Sequence, residues 1–222
     1  NCILGALNPF LYYILLFRGY DILSAQEAVT LNYTWAIVIV LLAVPLLHQK
    51  IQFMEIGALI ISFSGILIIA TKGKPWLLQF DSPQGVIIML LSSIVWALYW
   101  IYNTKSDINP IISLTGNFFF GIIWIFMYLF ISPISFNIPI KGLLGSIYIG
   151  FFEMGFTFTL WLTALKKASN IAKVSNLIYL SPFFSLLLIQ GIIKEKIHIT
   201  TYLGLILIIS GIILQKKTKK HP

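Results

Sequence analysis

The sequence predicts an all-α polytopic membrane protein, and three observations carry that prediction. Of 222 residues, 59% are hydrophobic and only 10% charged, with a mean hydropathy of +0.94, outside the range of soluble globular domains. Apolar runs close to the length needed to cross a hydrocarbon core about 30 Å thick, at 1.5 Å of helix rise per residue, recur along the whole chain. Eight are expected, at 2–17, 27–47, 54–71, 84–103, 110–132, 143–164, 173–193 and 199–215. The polar connections between them are too short to hold a soluble domain, so any activity belongs to the helix bundle itself.

The first run contains Asn8-Pro9 near its middle. Proline removes a backbone donor and perturbs the helix, which makes Pro9 a hinge candidate and Asn8, beside freed carbonyls, a substrate-binding candidate; a plain packing kink is the alternative. The second run opens with Gln26 and Glu27 and places Thr30, Asn32, Tyr33 and Thr34 in its first half. Glu27 reads as a favourable charge at a helix N-terminus, whereas Asn32 and Tyr33 lie deeper and are cavity candidates. The turn before the third run holds His48, and Glu55 lies just inside that run; both are explained by solvated headgroup contacts.

Ser92, Trp96, Tyr99 and Asn103 form one stripe of the fourth run, at spacings of four, three and four. Ser92 and Trp96 are deep enough to wall a pocket, while the residues near 103 fit an interfacial belt. Asn117 in the fifth run reads as a tie between helices. The seventh run carries Tyr179, a further site candidate, and Pro182, a second hinge candidate.

The sixth run, within GFFEMGFTFTLWLTAL (150–165), holds a carboxylate at its centre. A charge at that depth costs about 2.5–3.5 kcal/mol on insertion scales, and such groups face a bundle interior or a watery cavity. Helical spacing gathers Ser146, Gly150, Glu153, Thr157 and Ala164 on one small, polar face. Glu153 and Thr157 are therefore substrate-binding or coupling candidates; a protonated Glu that hydrogen-bonds across helices is the structural alternative.

The net charge of +8 comes without a basic stripe interleaved with stacking aromatics, so no nucleic-acid partner is expected. The fifteen Lys and Arg report topology instead. With the tail cytoplasmic, Lys50, Lys105, Lys166, Lys167, Lys173 and the four tail lysines make nine on that side, against Arg18, Lys72, Lys74, Lys141, Lys194 and Lys196 on the other. The lone Cys2 excludes an internal disulfide. No signal peptide is expected, because the first residues are membrane-apolar without a basic leader. The three scattered His form no metal constellation, and neither a phosphate-binding G-x-x-x-x-G-K-[ST] loop nor H-E-x-x-H occurs. No cofactor is expected.

An internal repeat lies at an offset of 146. LNYTWAIVIVLLAVPLLHQKI (31–51) aligns with LIYLSPFFSLLLIQGIIKEKI (177–197), matching Tyr33 to Tyr179 and Lys50 to Lys196; further on, SGILI meets SGIIL, Gly65 on Gly211. With a one-residue slip, Asn8 meets Glu153. The first, second and third runs thus correspond to the sixth, seventh and eighth, and an odd displacement of five reverses orientation across the membrane, as in inverted-repeat transporters. The second copy has five helices and the first only three, so the repeat predicts two helices before residue 1, within a ten-helix fold of two inverted five-helix repeats.

That order of helices resembles the EamA-type transporters of the drug/metabolite transporter superfamily. The matching stretches are SSIVWALYWIYNTK (92–105), GFFEMGFTFTLWLTALKKASNIAKVSNLIYLSPFFSLLL (150–188) and GLILIISGIIL (204–214). The resemblance implies a partial first repeat over 1–75 and a second repeat over 76–222 with a basic cytoplasmic tail, in a bacterial plasma membrane. It also implies export of small metabolites, often amino acids, through a central cavity between the repeats. The residues themselves add alternating access around a midplane site, with protons as a coupling ion. Two other functions are compatible with the sequence. An intramembrane enzyme would need a second acid, base or metal group near Glu153, and a chain inactive by itself would follow from a cavity that lacks a wall.

Overall fold

The computed structural model describes residues 1–77, 82–132, 139–181, 184 and 199–216; Pro182 and the tail beyond Lys216 lie outside them. Every regular element in the described residues is helical. Nine helices are named here: α1 (Cys2–Ile22), α2 (Ala25–Asn32), α3 (Trp35–Leu47), α4 (Phe53–Ala70), α5 (Pro83–Lys105), α6 (Pro110–Ile131), α7 (Ile140–Lys167), α8 (Ile171–Leu180) and α9 (Ile199–Lys216).

Among the described residues, five helical stretches are long and apolar enough to cross a membrane: Cys2–Ile22, Thr30–Leu47, Pro83–Lys105, Pro110–Ile131 and Ile140–Lys167. At the third, seventh and eighth expected runs stand shorter apolar helices, Phe53–Ile69, Ile171–Leu180 and Ile199–Gln215. The second run is not one continuous α-helix. Thr34 N–H and hydroxyl both turn back to the Leu31 carbonyl, at 3.1 and 2.5 Å, which tightens the chain at Tyr33–Thr34 and separates α2 from α3.

Local sequence explains where the helices start. Ser82 accepts from Gly85 N–H at 3.2 Å ahead of Pro83, and Asn109 accepts from Ile111 N–H at 2.9 Å ahead of Pro110; both pair an N-cap with a proline in the first turn. Gln52 and Glu55 form a capping box on α4. Glu27 accepts from Ser24 N–H at 2.8 Å and from its hydroxyl at 2.6 Å, so it does stabilise a helix N-terminus. Glu55, in contrast, is not a solvated headgroup contact. It is 2% exposed, and both its oxygens accept from the Asn170 side chain at 3.0 Å, tying α4 to the turn before α8.

The core centres on α5, which packs against α1, α2, α3 and α7; Tyr99, Trp100 and Met89 of this helix are fully enclosed. Its outer stripe turns out to be interior. Asn103 and Asn117 are both 0% exposed, and Asn103 Oδ1 accepts from Asn117 Nδ2 and from the Ser113 hydroxyl, each at 2.8 Å. This network ties α5 to α6, the role expected of Asn117.

Helices α4 and α9 pack at close range. A Cβ on Gly65 would stand 2.5 Å from the Gly204 carbonyl oxygen, and one on Gly211 would stand 2.6 Å from the Ala58 carbonyl oxygen. Contact numbers that rise on one helix as they fall on the other mean that α4 and α9 run antiparallel, held backbone to backbone by small residues. Outward faces carry bare apolar side chains, Phe130 at 94% and Ile131 at 82%, which suits hydrocarbon and not water.

Candidate functional site

Two local departures from α-helix shape the interior. In α1, the residue before Pro9 is forced out of the helical region: Asn8 has φ −146° and ψ 125° inside a π-helical stretch, Ala6–Leu11. In α7, Ile149–Thr157 is π-helical, and the Thr157 hydroxyl donates five residues back to the Phe152 carbonyl at 2.8 Å. Each i→i+5 turn holds one residue more than an α-turn, so faces derived from 3.6-residue spacing rotate out of register beyond it.

That rotation corrects the expected small-and-polar face of α7. Ala164 is exposed, whereas Phe158, Leu162 and Leu165 are buried. Every residue from Ile140 to Gly150 is exposed, Ser146 and Gly150 included, and a Cβ on Gly145 or Gly150 would meet nothing within 4 Å. Only Glu153 and Thr157 of the expected five line the cavity described next.

This cavity, about 340 Å³, lies between α1, α2, α3, α5, α7 and α8. Helix α1 contributes Tyr12, Leu16 and Tyr20, at successive intervals of four, together with Tyr13. The α2–α3 junction contributes Asn32, Tyr33 and Trp35. From α5 come Trp96 and Trp100, and from α7 Glu153, Thr157, Phe158 and Trp161. Ile178 and Ser181 close the remaining side.

The aromatic wall is continuous. Tyr12 lies 4.1 Å from Trp96, centroid to centroid. Trp96 meets Phe158 at 5.5 Å and 73°, and Trp35 meets Trp161 at 5.7 Å and 83°. These are edge-to-face geometries favoured by ring quadrupoles. The Tyr12 hydroxyl donates to Asn32 Oδ1 at 3.4 Å. Glu153 sits midway along α7, exposed and in the cavity lining, within electrostatic reach of Tyr12, Tyr13 and Tyr20. No hydrogen bond or ion pair engages its carboxylate among the described residues.

The other candidates sit elsewhere. Ser92 is fully buried and donates to the Met89 carbonyl at 2.7 Å. Tyr179 is fully buried behind Tyr33, whose carbonyl accepts from its hydroxyl. Asn8 is 0% exposed between α1 and α6, away from the cavity lining, and neither atom of its amide has a hydrogen-bond partner. Pro182 lies outside the described residues. The sequence reading did not single out Tyr12, Tyr13, Trp35, Trp100 or Phe158. The i, i+4, i+8 spacing of Tyr12, Leu16 and Tyr20 and the i, i+4 pair Trp96 and Trp100 were the available signals. Among the described residues no group of three or more His, Cys, Asp or Glu is placed to hold a metal.

Comparison with known proteins places these features in context. The model of the EamA-like transporter family matches residues 2–71 and 83–215. A protein of Clostridium kluyveri called "Uncharacterized transporter" is 27% identical over 208 residues, covering 89% of this chain. This chain spans 65% of that relative's length. An "Uncharacterized transporter in sor 3'region" of Acidianus ambivalens is 24% identical over 216 residues, covering 92% of this chain and 79% of its own. A solved crystal structure with 16% identity superposes with a TM-score of 0.81 over 96% of this chain and 75% of its own, a likeness of fold.

Proposed function

The chain belongs to the EamA-like transporter family, an assignment that with its apolar helices makes it an integral membrane protein, and from that premise we propose a secondary transporter that exports amino acids or similar small metabolites. The observation that carries the proposal is the cavity around Glu153. Its lining is drawn from both sides of residue 75: Tyr12, Asn32 and Tyr33 on one side, Trp96, Glu153 and Thr157 on the other. A site assembled from two halves opens to alternate faces when one half rocks against the other.

The two halves, 1–75 and 76–222, are proposed as a partial and a full copy of one repeat, inverted with respect to each other in a ten-helix fold. The antiparallel α4–α9 pair supports this, as do the two stretches of the family match. The basic tail is proposed to face the cytoplasm, a reading supported by the excess of lysines on that side, and the membrane is proposed to be a bacterial plasma membrane. Glu153 is the group proposed to exchange protons with the transport cycle, because it is the lining residue that carries a formal charge. Among the described lining residues Glu153 is the one carboxylate, with no His or Lys beside it, which favours the transporter reading over an enzyme that would need a second such group.

The test is efflux of labelled amino acids from proteoliposomes that hold the full-length protein, across a range of pH. Glu153→Gln is expected to lose most of the flux and its pH dependence while retaining its melting temperature. A variant that moves substrate at the wild-type rate with an unchanged pH profile removes Glu153 from the mechanism.

A further inference from the structure

Away from the cavity, the two halves of the chain also meet through a buried carboxylate that the transport reading leaves unused. We propose that the contact of Glu55 with Asn170 is a latch that holds one end of the bundle shut, and that Ser24 and Thr201 form the matching latch of the opposite end, the two closing in turn. The inference rests on the transporter reading and names the residues that set which face is open.

Three observations carry it. First, the contact joins the halves at the end of the bundle where α3 meets α4 and α7 meets α8. Asn170 Nδ2 donates to both oxygens of Glu55 at 3.0 Å. Beside it, Gln49 Oε1 accepts from the Ile171 N–H at 3.0 Å. Glu55 is 2% exposed, so its bonds to the amide are charge-assisted and shielded from water, which strengthens them.

Second, the packing differs between the two ends. Toward the latch, the cavity lining stops at Trp100 and Trp161. Beyond it, Leu162, Leu165, Ile171 and Ala172 are at most 1% exposed. Toward the other end, Tyr20 lies two residues before α1 finishes at Ile22, lines the cavity and is 43% exposed.

Third, the repeat supplies a counterpart that is parted. The offset of 146 carries Asn170 to Ser24 and Glu55 to Thr201. The correspondence extends to their places in the fold. Asn170 caps α8, accepting from the Ala172 N–H at 2.8 Å, and Ser24 caps α2, accepting from the Glu27 N–H at 3.4 Å. Glu55 and Thr201 are each the third residue of a helix, α4 from Phe53 and α9 from Ile199. Yet the Ser24 hydroxyl donates to Glu27 at 2.6 Å, and among the described residues no hydrogen bond joins it to Thr201. One end is bonded and its repeat-related end is not, the arrangement expected of alternating gates with one of them closed.

The test follows two single-cysteine reporters in the full-length protein, each in a Cys2→Ser background. Ala172→Cys lies enclosed beneath the latch, and Tyr20→Cys lies in the cavity toward the other end. The rate of reaction with a charged methanethiosulfonate reads the opening of each end. Asn170→Asp keeps the oxygen that caps α8, removes the donor to Glu55 and sets two carboxylates together. The Ala172→Cys rate is expected to rise about tenfold, a population change within reach of losing one charge-assisted bond, and the Tyr20→Cys rate to fall. Adding Glu55→Gln rebuilds the contact with donor and acceptor exchanged, keeps an oxygen for the Gln52 N–H, and should restore both rates. A Ser24→Cys, Thr201→Cys pair should cross-link faster under copper phenanthroline when Asn170→Asp is present.

Both reporters reacting faster would mean that the contact merely holds the fold together, and unchanged rates would mean that it holds nothing. Either result overturns the latch, as does a failure of Glu55→Gln to rescue; an unaltered cross-linking rate removes Ser24 and Thr201 from the opposite gate. Should Asn170→Asp fail to fold, Asn170→Ser, which retains a capping oxygen without adding charge, is expected to shift the two rates in the same opposed directions. Counterflow of labelled amino acids separates the latch from the transporter reading. Opposed rate changes in a protein that moves none of them reject the exporter and keep the switch, whereas amino-acid movement with reporter rates indifferent to Asn170→Asp does the reverse.

Discussion

The hydroxyl of Tyr179 donates to the backbone carbonyl of Tyr33 at 3.4 Å, across a separation of 146 positions. That separation is the offset of the internal repeat, so each tyrosine touches its own counterpart. Ser62 does the same, donating to the Ile208 carbonyl at 3.4 Å over the same separation. The contact of Gly65 with Gly204 becomes, on adding and subtracting the offset, the contact of Gly211 with Ala58. Residues that meet their own counterparts are what the proposed inverted repeat would produce, and one of them, Tyr33, lines the cavity.

Tyr179→Phe should therefore lower stability without touching the cavity surface. The ring stays packed against Tyr33 and Phe63, and only a buried hydrogen bond is lost, leaving a carbonyl without this donor. The expected cost is about 0.5–1.5 kcal/mol, or a fall of roughly 2–4 °C in melting temperature for each kcal/mol in a chain of this size. Thermal unfolding in detergent measures it, and a melting temperature equal to wild type would mean that the 3.4 Å contact contributes nothing.

The α4–α9 seam predicts a contrast between two glycines of one helix. A side chain at Gly65 runs into the Gly204 carbonyl and Ile208, whereas a Cβ at Gly57 meets nothing within 4 Å. Gly65→Leu should force the helices apart and cost about 1–3 kcal/mol or more, while Gly57→Ala should be neutral or slightly stabilising through helix propensity. Equal melting temperatures for the two variants would contradict the close approach.

Much of this architecture was legible in the sequence, and the reasons differ by element. The helices announce themselves by apolar length, and the α4–α9 symmetry by SGILI against SGIIL. The place of Glu153 midway along its helix followed from counting, but its neighbours did not. A π-helical stretch through Ile149–Thr157 breaks the 3.6-residue register on which the face was built, so Ala164 was assigned to the wrong side. The aromatic wall was hidden for another reason: in a membrane helix a Trp or Tyr facing lipid, protein or cavity looks the same by composition, and only the packing of α1 against α5 separates them.

The Asn103–Asn117 pair should behave as a structural lock. Asn117→Leu removes the donor to Asn103 Oδ1 and leaves that oxygen to the Ser113 hydroxyl alone. Polar ties between membrane helices are worth about 0.6 kcal/mol on average and up to roughly 1.7, and the partners here are enclosed, so a loss near the upper value is expected. Since neither residue lines the cavity, ligand affinity should hold while the melting temperature falls. Affinity falling with unchanged stability would instead place Asn117 in the transport path.

Asn8 predicts the opposite sign. Its amide is enclosed beside the Tyr99 hydroxyl, and the contact between them is at most a weak, poorly aligned hydrogen bond, with neither amide atom meeting strict hydrogen-bond geometry. A buried polar group without a well-formed partner carries a desolvation penalty of about 1–3 kcal/mol, which a leucine, bulkier but with the same number of side-chain heavy atoms, would not. Asn8→Leu is thus expected to leave the melting temperature unchanged or to raise it by a few degrees, where the same substitution at Asn117 lowers it. The kink itself should persist, because it is the residue before Pro9, whatever its side chain, that is driven to extended backbone. A clear drop in stability for Asn8→Leu would show that the amide is satisfied after all, by the Tyr99 hydroxyl or by water.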